Sequence, residues 1–215
     1  MRIRTKILAP LVVAGTLASV AVAAPAQAVP ITLTSGHVDV LDLDYNSGAL
    51  VLRVLDGTGG TNVERNPADV IFRVPLAAKT TSVPGGSEWA FLGTGGTAWI
   101  LPQDNVSGLL WAGWNADEVA DGVFVNDEMT INLTAVSGPA GFSIYTASGG
   151  TPTVLFDSGN GLPDAQTVPL EHTHVNWGFD AAGTYTVTFN VTGNKVGGGT
   201  VSSGSKQFTF EVLNA

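Results

Sequence analysis

The length, composition and charge of this 215-residue chain exclude several classes of protein before any motif is considered. The chain contains no cysteine, so disulfides, thiolate catalysis, cysteine-ligated zinc and iron–sulfur clusters are all excluded. Its formal net charge of -9 repels the phosphates of nucleic acids and of anionic lipids, and neither is expected as a partner. The 27 glycines and 11 prolines favour many short strands joined by turns over helices.

The amino terminus has the pattern of a secretory signal peptide. Three basic residues among the first six precede an apolar stretch at 7–24, and Ala26-Gln27-Ala28 matches the usual cleavage pattern. We therefore predict a signal peptide at 1–28 and a mature chain from Val29 that is not inserted in a membrane. The product is expected to be a secreted, extracellular bacterial protein, with association to the cell wall as a further expectation. Residues 29–215 are predicted to form a single domain.

The mature chain is predicted to consist of strands. Apolar and polar residues alternate with a period of two, most clearly in Thr184-Tyr185-Thr186-Val187-Thr188-Phe189. The predicted strands are Ile31–Ser35, His37–Leu43, Ala49–Leu55, Val70–Val74, Trp89–Leu92, Ala98–Leu101, Met129–Val136, Phe142–Thr146, Thr153–Phe156, Val168–Val175, Thr184–Val191 and Lys206–Leu213. This pattern predicts an all-β protein, an immunoglobulin-like two-sheet β-sandwich, in which Tyr185 forms a tyrosine corner.

The three histidines form the sharpest chemical pattern. On the predicted strand Val168–Val175, His172 and His174 point to the same face, because side chains alternate along a strand. Neutral imidazole is a good ligand for zinc and similar ions, and His37 is the remaining histidine. We therefore predict that His37, His172 and His174 bind zinc or another divalent metal. Asp39 is expected to be either a further ligand or a hydrogen-bond acceptor for one of the ligating histidines. The alternative is that the histidines are hydrogen-bonded polar residues at a strand edge.

Three tryptophans allow a different function. Trp99, Trp111 and Trp114 could stack on sugar rings if their faces were exposed, as in carbohydrate-binding modules. The commoner role of such residues is to fill the core of a sandwich. Sugar or cell-wall binding therefore stands as an alternative function.

Patterns typical of catalysis are scarce. The sequence contains no G-x-S-x-G elbow, no H-E-x-x-H motif and no glycine-rich phosphate loop. Glu171 could act as a base on a metal-bound water, but no substrate pocket is indicated. We predict that the protein is not an enzyme.

Several segments together resemble one family of exported domains. They are Gly36-His37-Val38-Asp39-Val40, Trp99-Ile100-Leu101-Pro102-Gln103, Leu110-Trp111-Ala112-Gly113-Trp114, Ser137-Gly138-Pro139-Ala140-Gly141-Phe142, His172-Thr173-His174-Val175-Asn176-Trp177-Gly178-Phe179 and Gly183-Thr184-Tyr185. This set is similar to the actinobacterial surface-anchored protein domain, also called the choice-of-anchor M domain or the ABC-transporter-associated repeat. The resemblance implies an exported domain, often repeated and wall-anchored, whose relatives are encoded beside metal-uptake transporters.

The predicted function is therefore extracellular capture of a divalent metal, with zinc as the first candidate, or its handover to a metal-type ABC transporter system. Metal-transport components and cell-wall material are the expected partners. The alternatives are a carbohydrate-binding module and a purely structural surface domain.

Overall fold

Strands account for most of the regular structure in a computed structural model of the protein, which describes residues 29–93 and 96–214. The predicted signal peptide lies outside these residues. The strands are β1 (Ile31–Leu33), β2 (Gly36–Asn46), β3 (Ala49–Asp56), β4 (Val63–Arg65), β5 (Val70–Val74), β6 (Lys79–Thr80), β7 (Ala98–Leu101), β8 (Leu110–Asn115), β9 (Glu128–Ser137), β10 (Phe142–Ser148), β11 (Thr151–Asp157), β12 (Asp164–Pro169), β13 (Thr173–His174), β14 (Asn176–Phe179), β15 (Gly183–Asn194), β16 (Thr200–Ser202) and β17 (Lys206–Val212). Short 3₁₀ helices span Pro67–Asp69, Leu76–Ala78, Ser87–Leu92 and Val125–Asp127. In the part of the chain that the structure describes, no helix is long and apolar enough to span a membrane.

The strands form three hydrogen-bonded sheets. The first has the order β1-β5-β17-β15-β9-β12, with β16 also pairing with β15. The second has the order β11-β10-β14-β7-β6, and the third has the order β13-β8-β2-β3-β4. Most neighbours are antiparallel, but β2 and β8 run parallel, as do β5 and its two neighbours.

Aromatic side chains fill the space between the first and second sheets. Along β15 every second residue from Tyr185 is fully buried, as the period-two pattern predicts. Phe210 of β17 lies 5.2 Å from Phe179 and 5.6 Å from Trp177 on β14, measured between ring centroids. The sheets therefore pack face to face in a sandwich-like arrangement, and the predicted all-β class is confirmed. The immunoglobulin-like connectivity stays a prediction.

Tyr185 makes the local bond predicted for it. Its hydroxyl donates to the carbonyl of Ala181 at 3.0 Å and accepts from the amide of the same residue at 3.1 Å. The ring is fully buried, and its edge packs against Phe179. This contact ties the turn before β15 to the core.

Two of the predicted strand assignments are wrong. Trp89–Leu92 lies in a 3₁₀ helix, because its buried residues Trp89 and Leu92 are three apart, which matches three residues per turn. Val168–Val175 is not one strand. The ladder ends at Pro169, and β13 begins at Thr173 in a different sheet. Proline has no amide hydrogen to extend a ladder.

Five strands have no predicted counterpart, and the longest of them is β8; the others are β4, β6, β14 and β16. β8 is buried over most of its length, and Ala112, Gly113 and Trp114 are all buried. A strand covered on both faces shows no alternation of polar and apolar residues, so the period-two signal is missing. This strand lies between β2 and β13.

Candidate metal centre

The register of three neighbouring strands places the candidate ligands on one face of the third sheet. His37 of β2 lies opposite Trp111 of β8, and Asp39 lies opposite Gly113 two residues further on. Gly113 in turn lies opposite His174 of β13. Because residues two apart share a face, the side chains of His37, Asp39 and His174 meet over the glycine.

His172 reaches the same point from outside the strands. It lies in the segment between β12 and β13 and is exposed. Its Nε2 atom lies 3.2 Å from Nε2 of His37 and 2.8 Å from Oδ1 of Asp39. The predicted metal ligands His37, His172 and His174 are thus brought together, although His172 is not on the strand that was predicted to hold it.

The four side chains offer one compact set of donor atoms. One atom each from His37, Asp39, His172 and His174 lies within 4.8 Å of every other. Nε2 of His37 lies 3.7 Å from Oδ2 of Asp39. The ring centroid of His174 lies 5.1 Å from that of His37 and 4.7 Å from that of His172. A set with these donors and spacings could hold a metal ion.

His174 is held as a neutral imidazole. Burial lowers its pKa to about 4, the neighbouring His172 and His37 act in the same direction, and the nearby Ala112 carbonyl opposes the shift. Within the described residues, neither ring nitrogen makes a hydrogen bond of good geometry. A neutral, half-buried imidazole whose nitrogen atoms have no good hydrogen bond is suited to bind a cation.

Asp39 is buried in this cluster, and no lysine or arginine of the described residues forms an ion pair with it. The ion-pair partners of its carboxylate within the described residues are His37 and His172. Burial raises its pKa, and the two histidines partly offset that rise. A buried carboxylate is costly unless a cation or several donors compensate its charge, so this arrangement favours a bound cation.

Two glycines make room for the imidazole rings. A Cβ atom on Gly57 would lie 2.8 Å from Nδ1 of His37, and one on Gly113 would lie 2.9 Å from Nδ1 of His174. Both distances are shorter than a side chain normally allows. Sequence reasoning missed these glycines. The signal available for Gly113 is its place between Trp111 and Trp114.

The tryptophans do not form the exposed pair that sugar stacking requires. Trp99 and Trp114 are buried, with 5% and 4% of their surface exposed. Trp111 is half-buried, and its ring centroid lies 5.6 Å from that of His37. Its indole N–H donates to the Gln103 carbonyl at 2.8 Å. The Trp111 ring therefore lines one side of the histidine cluster.

Further carboxylates surround the cluster. Asp42 is buried on β2 and accepts a hydrogen bond from Asn115 at 3.1 Å. Burial raises its pKa to about 6, and nearby acidic groups including Glu118 and Asp39 act in the same direction. Asp117 lies close enough to Asp39 to raise the pKa of that carboxyl. Glu171, considered above as a base, is exposed and is not a member of the ligand group.

Comparison of the chain with models of protein families, with curated proteins and with solved structures finds no match. The family resemblance therefore stays a prediction.

Proposed function

We propose that this protein captures a divalent metal ion outside the cell, in first place zinc, through His37, His172 and His174. The observation that carries the proposal is the meeting of all three histidines of the chain in one cluster around a buried carboxylate. His37 and His172 are 135 residues apart, and their Nε2 atoms are 3.2 Å apart. Histidines that serve only as surface polar groups have no reason to converge in this way.

The charge of the surroundings supports a cation as the ligand. The cluster contains one carboxylate, and Asp42 and Asp117 are close enough to act on it. Negative potential from several carboxylates raises the local concentration of cations. Imidazole nitrogen suits zinc and other borderline dications, whereas magnesium and calcium prefer oxygen.

The cellular role follows from the predicted export. A secreted domain with such a site would bind metal before it reaches the membrane, and the family resemblance favours handover to a metal-type ABC transporter system. Cell-wall material is the other expected partner. The burial of Trp99 and Trp114 leaves the carbohydrate alternative without its stacking surface.

Calorimetric titration with zinc tests this proposal. The chain from Val29, without a histidine tag and stripped of metal, is titrated beside a His172→Ala/His174→Ala variant and a Glu171→Gln control. We expect one zinc per chain for the wild type and the control, and no binding for the double variant. No binding by the wild type, or binding indifferent to the double substitution, would refute metal capture and leave a structural or wall-binding role.

A further inference from the structure

Asp39 lies beside the histidines, and its place relative to their nitrogen atoms defines the kind of metal site. We propose that Asp39 is a fourth metal ligand, so that three imidazoles and one carboxylate close the shell of a tetrahedral dication. This inference rests on the proposed metal binding and deepens it. A fourth protein ligand gives a closed site, whereas three protein ligands leave one coordination position open for water.

The carboxylate oxygens of Asp39 lie next to the Nε2 atoms of His37 and His172, which are also close to each other. Oδ1 lies 2.8 Å from Nε2 of His172, and Oδ2 lies 3.7 Å from Nε2 of His37. Those two Nε2 atoms are themselves 3.2 Å apart. A carboxylate that only orients a ligating histidine bonds to the ring nitrogen remote from the metal. Asp39 lies instead on the side where the ion would be.

The environment of His37 supports the same assignment. Its Nδ1 atom faces Gly57, since a Cβ atom there would come within 2.8 Å of it. The carboxylate of Asp39 is therefore at the opposite nitrogen. Nδ1 of His37 is thus directed toward Gly57, and its Nε2 is directed toward the other candidate ligands.

The separation of the His37 and His172 nitrogens is close to the edge length of a tetrahedral shell. With metal–ligand bonds of 2.0–2.1 Å, the edges of a tetrahedral shell are about 3.3–3.4 Å long. The Nε2 atoms of His37 and His172 are 3.2 Å apart, close to that length, and one oxygen of Asp39 lies 2.8 Å from His172 while its other oxygen lies 3.7 Å from His37. Oδ1 of Asp39 also makes no hydrogen bond of good geometry, although His172 is close. Oδ1 of Asp39 therefore keeps a lone pair that a cation could accept.

The donor set defines the class of ion. Three imidazole nitrogens and one carboxylate oxygen suit Zn²⁺ and Co²⁺, while the absence of sulfur in the set disfavours Cu⁺. The buried negative charge of Asp39 is compensated by a dication, and no lysine or arginine of the described residues forms an ion pair with it. A closed shell retains its metal, which favours capture over catalysis on a bound water.

Cobalt spectroscopy with azide tests the closed shell. Co²⁺ bound in a tetrahedral site absorbs strongly in the visible range, and azide changes that spectrum only where it can replace a bound water. We expect the spectrum of the wild-type protein to be unaffected by azide. A wild-type spectrum that shifts with azide would overturn the inference alone. Failure of the wild type to bind Co²⁺ or Zn²⁺ at all would overturn the proposed function as well.

Variants of Asp39 give the second readout. Loss of an orienting partner behind a ligand weakens metal binding by about 10–100-fold, so loss of a ligand is expected to exceed about 100-fold. We expect Asp39→Ala and Asp39→Asn to exceed that limit, and Co²⁺ bound to Asp39→Ala to respond to azide. Asp180→Asn removes a half-buried carboxylate outside the ligand group and should bind as the wild type does. Folded Asp39→Asn with near wild-type affinity would refute the assignment.

Discussion

The indole of Trp111 lies flat against the imidazole of His174, with ring centroids 3.7 Å apart and planes inclined by 12°. The position of the indole is fixed by a hydrogen bond that its N–H donates to the Gln103 carbonyl. The side chain of Gln103 is fixed in turn, since it accepts from the Asn176 amide and from the backbone of Ala147. A chain of contacts thus runs from the second sheet to the imidazole and sets the orientation of its ring.

The stack predicts that Trp111 affects metal affinity without touching the ion. Trp111→Leu removes the flat partner of His174, so we expect zinc affinity to fall about 10-fold, the scale of other groups that orient ligands. Trp111→Phe keeps an aromatic face and should retain most of the affinity. Competition with a chromophoric chelator measures both.

Trp99→Phe is the matched control for Trp111. It also loses an indole hydrogen bond of 2.8 Å, to the Leu213 carbonyl, but Trp99 has no ring contact with a histidine. We expect it to lower thermal stability and leave affinity unchanged. Equal loss of affinity in Trp99→Phe and Trp111→Leu would contradict a local role for the stack.

Gly57→Ala is predicted to damage the site without removing a ligand. The new Cβ atom would lie 2.8 Å from Nδ1 of His37 and 3.0 Å from Oδ1 of Asn62, so the His37 ring must move. The backbone of Gly57 does not have positive φ, so the change adds no backbone strain. We expect weaker zinc binding, measured by the same competition assay.

Gly59→Ala controls for the extra methyl group in the same loop. Its Cβ atom would meet nothing within 4 Å, and its φ is not positive. This variant should bind zinc as the wild type does, with stability unchanged or raised by about 0.4–1 kcal/mol through the unfolded state. If both alanine variants lose affinity alike, crowding of His37 is not the cause.

Zinc is predicted to stabilise the fold in a pH-dependent way. At about 100 times its dissociation constant, zinc adds about 2.7 kcal/mol, because it binds the folded state alone. That corresponds to a rise in Tm of about 5–11 °C for a domain of this size. Protons compete for the imidazole nitrogens, so the rise should shrink as the pH falls below about 6.

Thermal melts with zinc and with a chelator check this prediction. A His174→Ala variant should show no zinc-dependent rise in Tm at pH 7.5. A rise that persists unchanged at pH 5, or in the variant, would indicate that zinc acts at another place.

Asp180 is predicted to lower stability at neutral pH. Burial raises its pKa from 3.8 to about 6, and the charge of Asp157 adds to the rise. The folded state therefore binds more protons than the unfolded state between about pH 4 and pH 6, and stability is lost as the pH rises through that window. Asp180→Asn has no proton to lose, so its advantage over the wild type should appear above pH 6.

The expected gain for Asp180→Asn is about 1–3 kcal/mol at pH 7.5 and close to zero at pH 3.5. Urea unfolding of both proteins at the two pH values measures the difference. The wild type at pH 3.5 is the internal control, since its carboxyl is then neutral like the amide. A gain of the same size at both pH values would show that charge is not the cause.

Local patterns were sufficient to predict the long strands. The alternation around Tyr185 and Phe189 places the same side chains in the core as the structure does, because a strand with one buried face must alternate. Alternation does not reveal β8, since both of its faces are covered, and the predicted strand Trp89–Leu92 is wrong because its buried residues follow the period of three of a 3₁₀ helix. Short apolar segments without alternation do not reveal their conformation.

Composition and local patterns alone predict the β class, indicate histidine as the candidate metal-binding residue type and exclude cysteine ligands. The meeting of His37 with His172 and His174 depends on the tertiary structure, because β8 pairs with both β2 and β13, which are far apart in the chain. The stacking of Trp111 on His174, and the space that Gly113 leaves for that imidazole, depend on the same strand pairing. Contacts between distant segments depend on which strands pair, and the alternation within one strand does not identify its partner.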